Sequence, residues 1–398
     1  MSVSRRHFFF GSLAVPASLA LPTFAAKPAA PRPNLLLVLV DNLPAWFLGA
    51  YGNKEVRTPN IDRLAQGGTR FFNHIACTPM PALSRATVLT GRTPMQLGDS
   101  ENASGGDQSL EKILTGLGYV SQATDSNAAG AFLDQQSAAK PFCLIAGCPS
   151  LRTPYEGVAQ KYRDMYAQAK FETLSVDRAP AANARAGKEM FADLTGNLRK
   201  VAAAVTALDD DVAAMMSKLS EKRVLDNTLI VFTSTCGSLL GRHGLWGAGE
   251  ASDPINMYQE SVSTPMIWSW SGRVPAQGVR PELVSTYDFL PTVCDLLEAG
   301  LPGGNLCGRS YLLLGTGKPL PKKQPWRKTV FGHFQSTDMA RVDRYKLVLR
   351  DQGKGPGELY DLITDPGEAV NQYANPQFMT VHSSLADQLA TWKQKYSH

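Results

Sequence analysis

The chain has 398 residues, with 40 Lys and Arg against 35 Asp and Glu, and a formal charge of +5. Hydrophobic residues make up 43% and charged residues 19%, which fits a packed globular protein and excludes disorder, collagen and coiled coil. The basic excess is too small to argue for nucleic acid, and the only long apolar stretch is N-terminal, which excludes a multi-span membrane protein.

The first element in chain order is an address. Ser4-Arg5-Arg6-His7-Phe8-Phe9 runs into an apolar stretch over residues 8–20, followed by small residues up to Ala25 and Ala26. A paired arginine ahead of an apolar stretch reads as a twin-arginine export signal over residues 1–26. The stretch is interrupted by Gly11 and Pro16 and is too short to span a bilayer comfortably, although an uncleaved anchor is the alternative. Cleavage removes Arg5 and Arg6 and no acids, leaving a mature charge of about +3 and no membrane span. The expected location is the periplasm or the outside of the cell. The six cysteines, Cys77, Cys143, Cys148, Cys236, Cys294 and Cys307, all lie in the mature part, too sparse for a disulfide scaffold.

Leu35-Leu36-Leu37-Val38-Leu39-Val40 is a continuous apolar run that stops at Asp41, and Leu229-Ile230-Val231-Phe232 repeats the pattern ahead of Thr235-Cys236. Residues 142–146 and 266–268 are shorter candidates of the same kind. Apolar runs without polar alternation are expected of strands covered on both faces, as in parallel sheets. Leu198, Val201, Val205, Leu208, Val212, Met215 and Leu219 recur at spacings of three and four and predict one long amphipathic helix. The fold class is therefore α/β: a mostly parallel sheet flanked by helices over residues 32–316. A Pro- and Lys-rich stretch, 317–328, reads as a linker. Two strands (329–334 and 341–349), a turn at Asp365-Pro366-Gly367 and a helix carrying Phe378, Val381, Leu385, Leu389 and Trp392 predict a small C-terminal α+β subdomain over 329–398.

Several blocks resemble a known family in sequence and in order. Arg32-Pro33-Asn34 with the following strand, Asp41-Asn42, and Leu48-Gly49-Ala50-Tyr51-Gly52-Asn53 open the series. Thr58-Pro59-Asn60-Ile61-Asp62-Arg63-Leu64, Ser84-Arg85-Ala86-Thr87-Val88-Leu89-Thr90-Gly91-Arg92 and Gly241-Arg242-His243-Gly244-Leu245-Trp246-Gly247 continue it. Tyr287-Asp288-Phe289-Leu290-Pro291-Thr292 and Glu358-Leu359-Tyr360-Asp361-Leu362 close it. Together these resemble the type I sulfatase family of the alkaline phosphatase superfamily. The resemblance implies an alkaline-phosphatase-like α/β fold, sulfuric ester hydrolysis, a Ca²⁺ or Mg²⁺ ion and a formylglycine made from a Cys or Ser.

The residues at the implied positions depart from that pattern. The family's nucleophile opens a C/S-x-P-S-R segment; counting back from Ser84-Arg85 places Pro81 there and Leu83 at the internal proline. Proline has no heteroatom with which to attack. Cys77-Thr78-Pro79-Met80-Pro81 begins like the motif but ends without its arginine, and Ser84 reads as a helix cap. The implied metal positions are Asp41-Asn42 and Thr235-Cys236, one carboxylate where a hard cation wants several. The implied Gly-Lys-Trp-His-like segment falls on Asp125-Ser126-Asn127-Ala128, the implied histidine on Arg152 and the implied lysine on Ala248. Arg85 and His243 are retained, His243 within a turn where a structural role is expected.

Neither formylglycine nor metal is therefore expected. Arg85 and Arg152 are candidate anion-binding residues. Cys77, Cys148 and Cys236 are expected to be buried thiols, with a disulfide or a soft-metal site as alternatives. The functional expectation is a catalytically inactive pseudosulfatase that binds a sulfated or anionic glycan, a small ester, or an intact sulfatase as partner. The alternative is an active sulfatase- or phosphatase-type ester hydrolase with a relocated nucleophile.

Overall fold

Strand β1 (Asn34–Val40) is buried along its whole length in the middle of a sheet. Its apolar run has cover on both sides. Leu36, Val38 and Val40 enter one hydrophobic cluster, while Leu35, Leu37 and Leu39 enter another, as the alternation of a strand requires. The computed structural model describes residues 1, 32–99, 109–148 and 151–397, so the export signal lies outside the described residues. Residues 32–398 cluster as one unit.

Six further strands complete the sheet: β2 (Thr69–Ile75), β3 (Val120–Asp125), β4 (Phe142–Gly147), β5 (Thr228–Ser234), β6 (Met266–Ser269) and β7 (Gly278–Ser285). The order is β3-β4-β1-β5-β6-β2-β7. β1 runs parallel to β4 and β5, β3 to β4, and β2 to β7. Only β6 is reversed, pairing antiparallel with β5 and β2. The other six strands therefore end at one edge, and the segments leaving them gather there.

The helices are α1 (Pro59–Gln66), α2 (Pro81–Thr90), α3 (Leu110–Gly116), α4 (Ala129–Asp134), α5 (Gln160–Met165), α6 (Leu194–Glu221), α7 (Gln259–Val262), α8 (Phe289–Leu296), α9 (Leu312–Gly315) and α10 (Met379–Tyr396). α6 is the long helix expected from spacing; Leu198, Val201, Val205, Leu208, Val212, Met215 and Leu219 are all buried on it. The Asp193 carboxylate caps its first turn by accepting from Gly196 N at 2.9 Å. α1, α4 and α6 bury residues in one cluster, and α3, α8 and α9 bury residues in the other, so helices cover both faces. Among the described residues no helix is long and apolar enough to cross a membrane.

The C-terminal part is a second sheet of β8 (Val330–Phe334), β9 (Thr337–Arg341), β10 (Tyr345–Arg350) and β11 (Glu358–Asp361), antiparallel in the order β11-β10-β9-β8. The single strand expected over 341–349 is corrected to two. Arg341 ends β9 and Lys346 of β10 pairs back with it, around a tight turn in which Val342 N donates to Tyr345 O at 2.9 Å. An apolar-polar run through a hairpin looks continuous because the turn holds no glycine or proline. α10 packs on this sheet through Leu385, Leu389 and Trp392. The 317–328 stretch has no regular structure but is tied down: Trp326 Nε1 donates to Leu283 O at 2.7 Å, and Arg327 pairs with the buried Asp288 at 2.6 Å.

Candidate functional site

The end of β1 places Asp41 at the gathered edge, and the end of β5 places Thr235 beside it. Thr235 Oγ1 donates to Asp41 Oδ1 at 3.0 Å. α2 begins at the same edge, because it follows β2. Met80 is its cap residue and Pro81 its first helical residue, a position that tolerates a missing N–H. One turn further, Arg85 points back to the strand ends: Nη2 donates to Asp41 Oδ1 at 2.9 Å and to Leu39 O at 3.1 Å.

The third donor comes from the segment after β4. Arg152 Nη2 reaches Asp41 Oδ2 at 2.9 Å. The segment is held by Tyr155, whose N donates to Arg152 O at 2.7 Å and whose hydroxyl accepts from Trp246 Nε1 at 3.1 Å. The Asp41 side chain is 8% exposed, that of Arg85 30% and that of Arg152 66%. Burial pushes the Asp41 carboxyl up, but the Arg85 charge and the donors from Arg152, Arg85 and Thr235 outweigh it and hold the carboxyl below its usual range. The centre is thus one carboxylate between two guanidinium groups, with a residual positive charge on the exposed side.

The neighbouring residues are engaged with one another. Asn42 has a positive φ of 58°, and its Oδ1 accepts from the Cys236 thiol at 3.3 Å. Burial, and then the nearby Asp41 charge, pushes that thiol up to about 12. Ser84 is fully buried and its hydroxyl donates to the Thr235 carbonyl. Cys77 is fully buried too, with its thiol pushed up to about 11, mainly by burial. A thiol so placed has neither access nor thiolate character. No disulfide links the six cysteines, all of which lie among the described residues.

Ser126 and His243 bond to other carboxylates than Asp41. Ser126, at the end of β3, donates to Asp211 Oδ2 of α6 at 2.6 Å. His243 Nε2 meets Glu260 Oε2 at 3.3 Å, and its ring stacks on Tyr258 at 3.8 Å between centroids. Arg242 Nη1 takes the other Glu260 oxygen at 3.0 Å, and its guanidinium lies 4.0 Å over the Trp46 ring. Burial pushes the Glu260 carboxyl up, yet His243 and Arg242 bring it down to about 2. His243 and Arg242 together therefore hold the buried Glu260 carboxylate in place. Beside His243 opens a cleft of about 820 Å³ lined by Asp177, Arg178, Asn183, Tyr258 and Glu358, which single-residue motifs had not marked. Glu358 is already paired with Arg350 at 2.6 Å, and Asp177 accepts from Gly244 N at 2.8 Å.

A divalent cation does not fit the centre. Its donors would be the Asp41 carboxylate, already held by two guanidinium groups, an amide, a hydroxyl and an un-ionised thiol; a hard cation wants several anionic oxygens. A formylglycine does not fit either, because Pro81 stands at the helix start. Among the described residues, no three His, Cys, Asp or Glu side chains converge to hold a metal.

With that geometry in place, similarity to known proteins locates the chain. The Sulfatase family model matches residues 33–147 and 127–299, and the N-sulphoglucosamine sulphohydrolase C-terminal model matches 247–395. Arylsulfatase A of Homo sapiens is 27% identical over 448 residues, spanning 90% of this chain and 87% of its own. N-acetylglucosamine-6-O-sulfatase of Bacteroides thetaiotaomicron is 23% identical over 508 residues, spanning 95% and 89%. A solved structure in complex with its substrate D-glucosamine-2-N,6-O-disulfate shares the fold, with a TM-score of 0.75 and 20% identity over 92% of this chain and 98% of that one. A family match across more than half of the chain, on a mixed α/β sheet with a small antiparallel sheet at its C-terminal end, means that this chain belongs to the sulfatase family.

Proposed function

We propose that this protein is a pseudosulfatase: it holds a sulfated glycan, or another anionic ester of that kind, at Arg85 and Arg152 and does not hydrolyse it. One observation carries the reading. The position from which the family attacks is a proline, and the carboxylate from which it would hold a metal is occupied by two guanidinium groups. Sulfuryl transfer needs a nucleophile, a proton donor for the leaving oxygen and positive charge on the sulfate. Among the described residues around Asp41, only the last is found. Guanidinium groups bind oxyanions through forked hydrogen bonds, and Arg152 keeps two-thirds of its side chain exposed to do so. A relative named for N-acetylglucosamine 6-O-sulfate supports an amino-sugar sulfate as the ligand.

The buried positions of Cys77 and Ser84 speak against either as a relocated nucleophile. The Arg5-Arg6 signal supports a site of action outside the cytoplasm, where sulfated glycans are met. An intact sulfatase is the partner this reading would accept, since a binding subunit adds affinity to a catalytic one.

The test is hydrolysis of aryl sulfate and aryl phosphate esters by the mature protein with Ca²⁺, Mg²⁺ or Mn²⁺, beside calorimetric titration with glucosamine 6-sulfate. Saturable binding without turnover is expected. Chelator-sensitive turnover would overturn the reading.

A further inference from the structure

We infer that Arg152 is a resident cation: its guanidinium takes the place of a divalent metal on Asp41, so that the centre binds its anion without metal and excludes metal while Arg152 is there. The inference rests on the pseudosulfatase reading for the anion and stands on separate geometry for the cation. Asp41 is buried at a strand end and needs a positive partner, because an ionised carboxylate away from water is costly unless paired. A fold that carries such a carboxylate must supply the charge, either as a bound ion or as a side chain. Here it comes from two elements that enter from different directions, α2 on Oδ1 and the segment after β4 on Oδ2.

The two arginines are not equivalent. Arg85 is anchored to the Leu39 carbonyl as well as to Asp41, and Thr235 shares its oxygen. Among the described residues the one donor on Oδ2 is the Arg152 guanidinium, which arrives from the exposed side. That oxygen is the one an ion approaching from solvent would take. A dication placed there would face two guanidinium groups across a single carboxylate, a like-charge encounter the site cannot offset. Removal of Arg152 frees Oδ2 of a carboxylate whose Oδ1 is already held by Arg85 and Thr235, a weak oxygen site of the kind that holds Ca²⁺ at about millimolar concentration.

The experiment is thermal unfolding of the mature protein and of Arg152→Ala, each in EDTA and in 10 mM Ca²⁺, with Asp41→Asn combined with Arg152→Ala as control. Wild type is expected to show no calcium response. Arg152→Ala is expected to melt lower in EDTA and to regain about 2 °C in Ca²⁺, the rise that roughly tenfold saturation gives a chain of this size. The double variant is expected to show no regain. A calcium response in wild type, or none in Arg152→Ala, overturns the inference, as does a response that persists without Asp41. Titration of wild type with glucosamine 6-sulfate in EDTA separates the two readings. Binding lost in EDTA and restored by Ca²⁺ overturns the resident cation and leaves the pseudosulfatase standing. Absence of binding in both conditions overturns the pseudosulfatase, while the melting series still decides the cation.

Discussion

Arg85 and Arg152 reach the same carboxylate at the same distance, 2.9 Å, yet their removal has different costs. Arg85 is the more buried and also satisfies a strand-end carbonyl, so Arg85→Ala leaves two buried acceptors short. A loss of about 2 kcal/mol is expected, below the range for fully buried pairs because the guanidinium is part-exposed. Arg152→Ala, mostly in water, is expected to lose under about 1 kcal/mol but most of the anion affinity. Urea midpoints and glucosamine 6-sulfate titration of the two variants check this contrast. At the same scale, Pro81→Cys is expected to remain without turnover in the aryl sulfate assay, because Asn42, Thr235 and Ala248 stay as they are. What the sequence made legible here was the departures, since Pro81, Arg152 and Ala248 can be counted from flanking blocks. It hid the common partner: Arg152 lies 111 residues from Asp41, and no spacing rule connects them.

Elements were legible in proportion to how apolar and how central they are. β1 and β5, covered on both faces, read directly as apolar runs. β2, β3 and β7 did not, because each carries polar residues in series: Arg70, Asn73 and His74 on β2, and an edge strand β3 whose residues are mostly exposed. Their place in the sheet comes from neighbours rather than from their own pattern. A further element-scale tie was invisible to motif reasoning. His333 of β8 sits between Asp338 of β9 at 2.6 Å and Asp99, after α2, at 2.9 Å, with Lys393 of α10 on the far oxygen of Asp338 at 2.5 Å. Burial lowers the His333 pKa, but the two carboxylates outweigh it and raise it above the ordinary value. A raised native pKa means that the folded state holds the proton more tightly than the unfolded chain. The stabilisation is therefore complete below about pH 6.5 and is lost as pH climbs through the native value. Urea midpoints taken at rising pH should fall across that window in wild type, and the His333-dependent part of the fall should vanish in His333→Gln.

At the scale of the whole molecule, the small antiparallel sheet is joined to the segment between β5 and β6 by buried charge as well as by apolar packing. Lys346 of β10 is fully buried, pairs with the buried Glu368, and donates to the Met257 carbonyl at 2.5 Å. Glu368 in turn accepts from Gln259 N at 2.7 Å. Burial pushes Lys346 down and Glu368 up, each against the attraction of the other. Lys346→Met alone is expected to cost about 3–5 kcal/mol by leaving Glu368 unpaired, and Lys346→Met with Glu368→Leu to recover most of it. Denaturant unfolding of the two variants measures both numbers. A purely hydrophobic junction would show the double variant as bad as the sum.

The reversed direction of β6 has a consequence for the site. Because β5 arrives at the gathered edge and β6 sets out from it, the chain over 235–265 begins and ends at the same place, with Thr233 Oγ1 donating to Pro265 O at 2.7 Å across its neck. Thr235, Cys236, His243, Trp246, Ala248 and Glu260 all travel in that one excursion. The positions implied for the second metal pair and for the lysine are thus carried by one segment whose two ends lie side by side in the sheet.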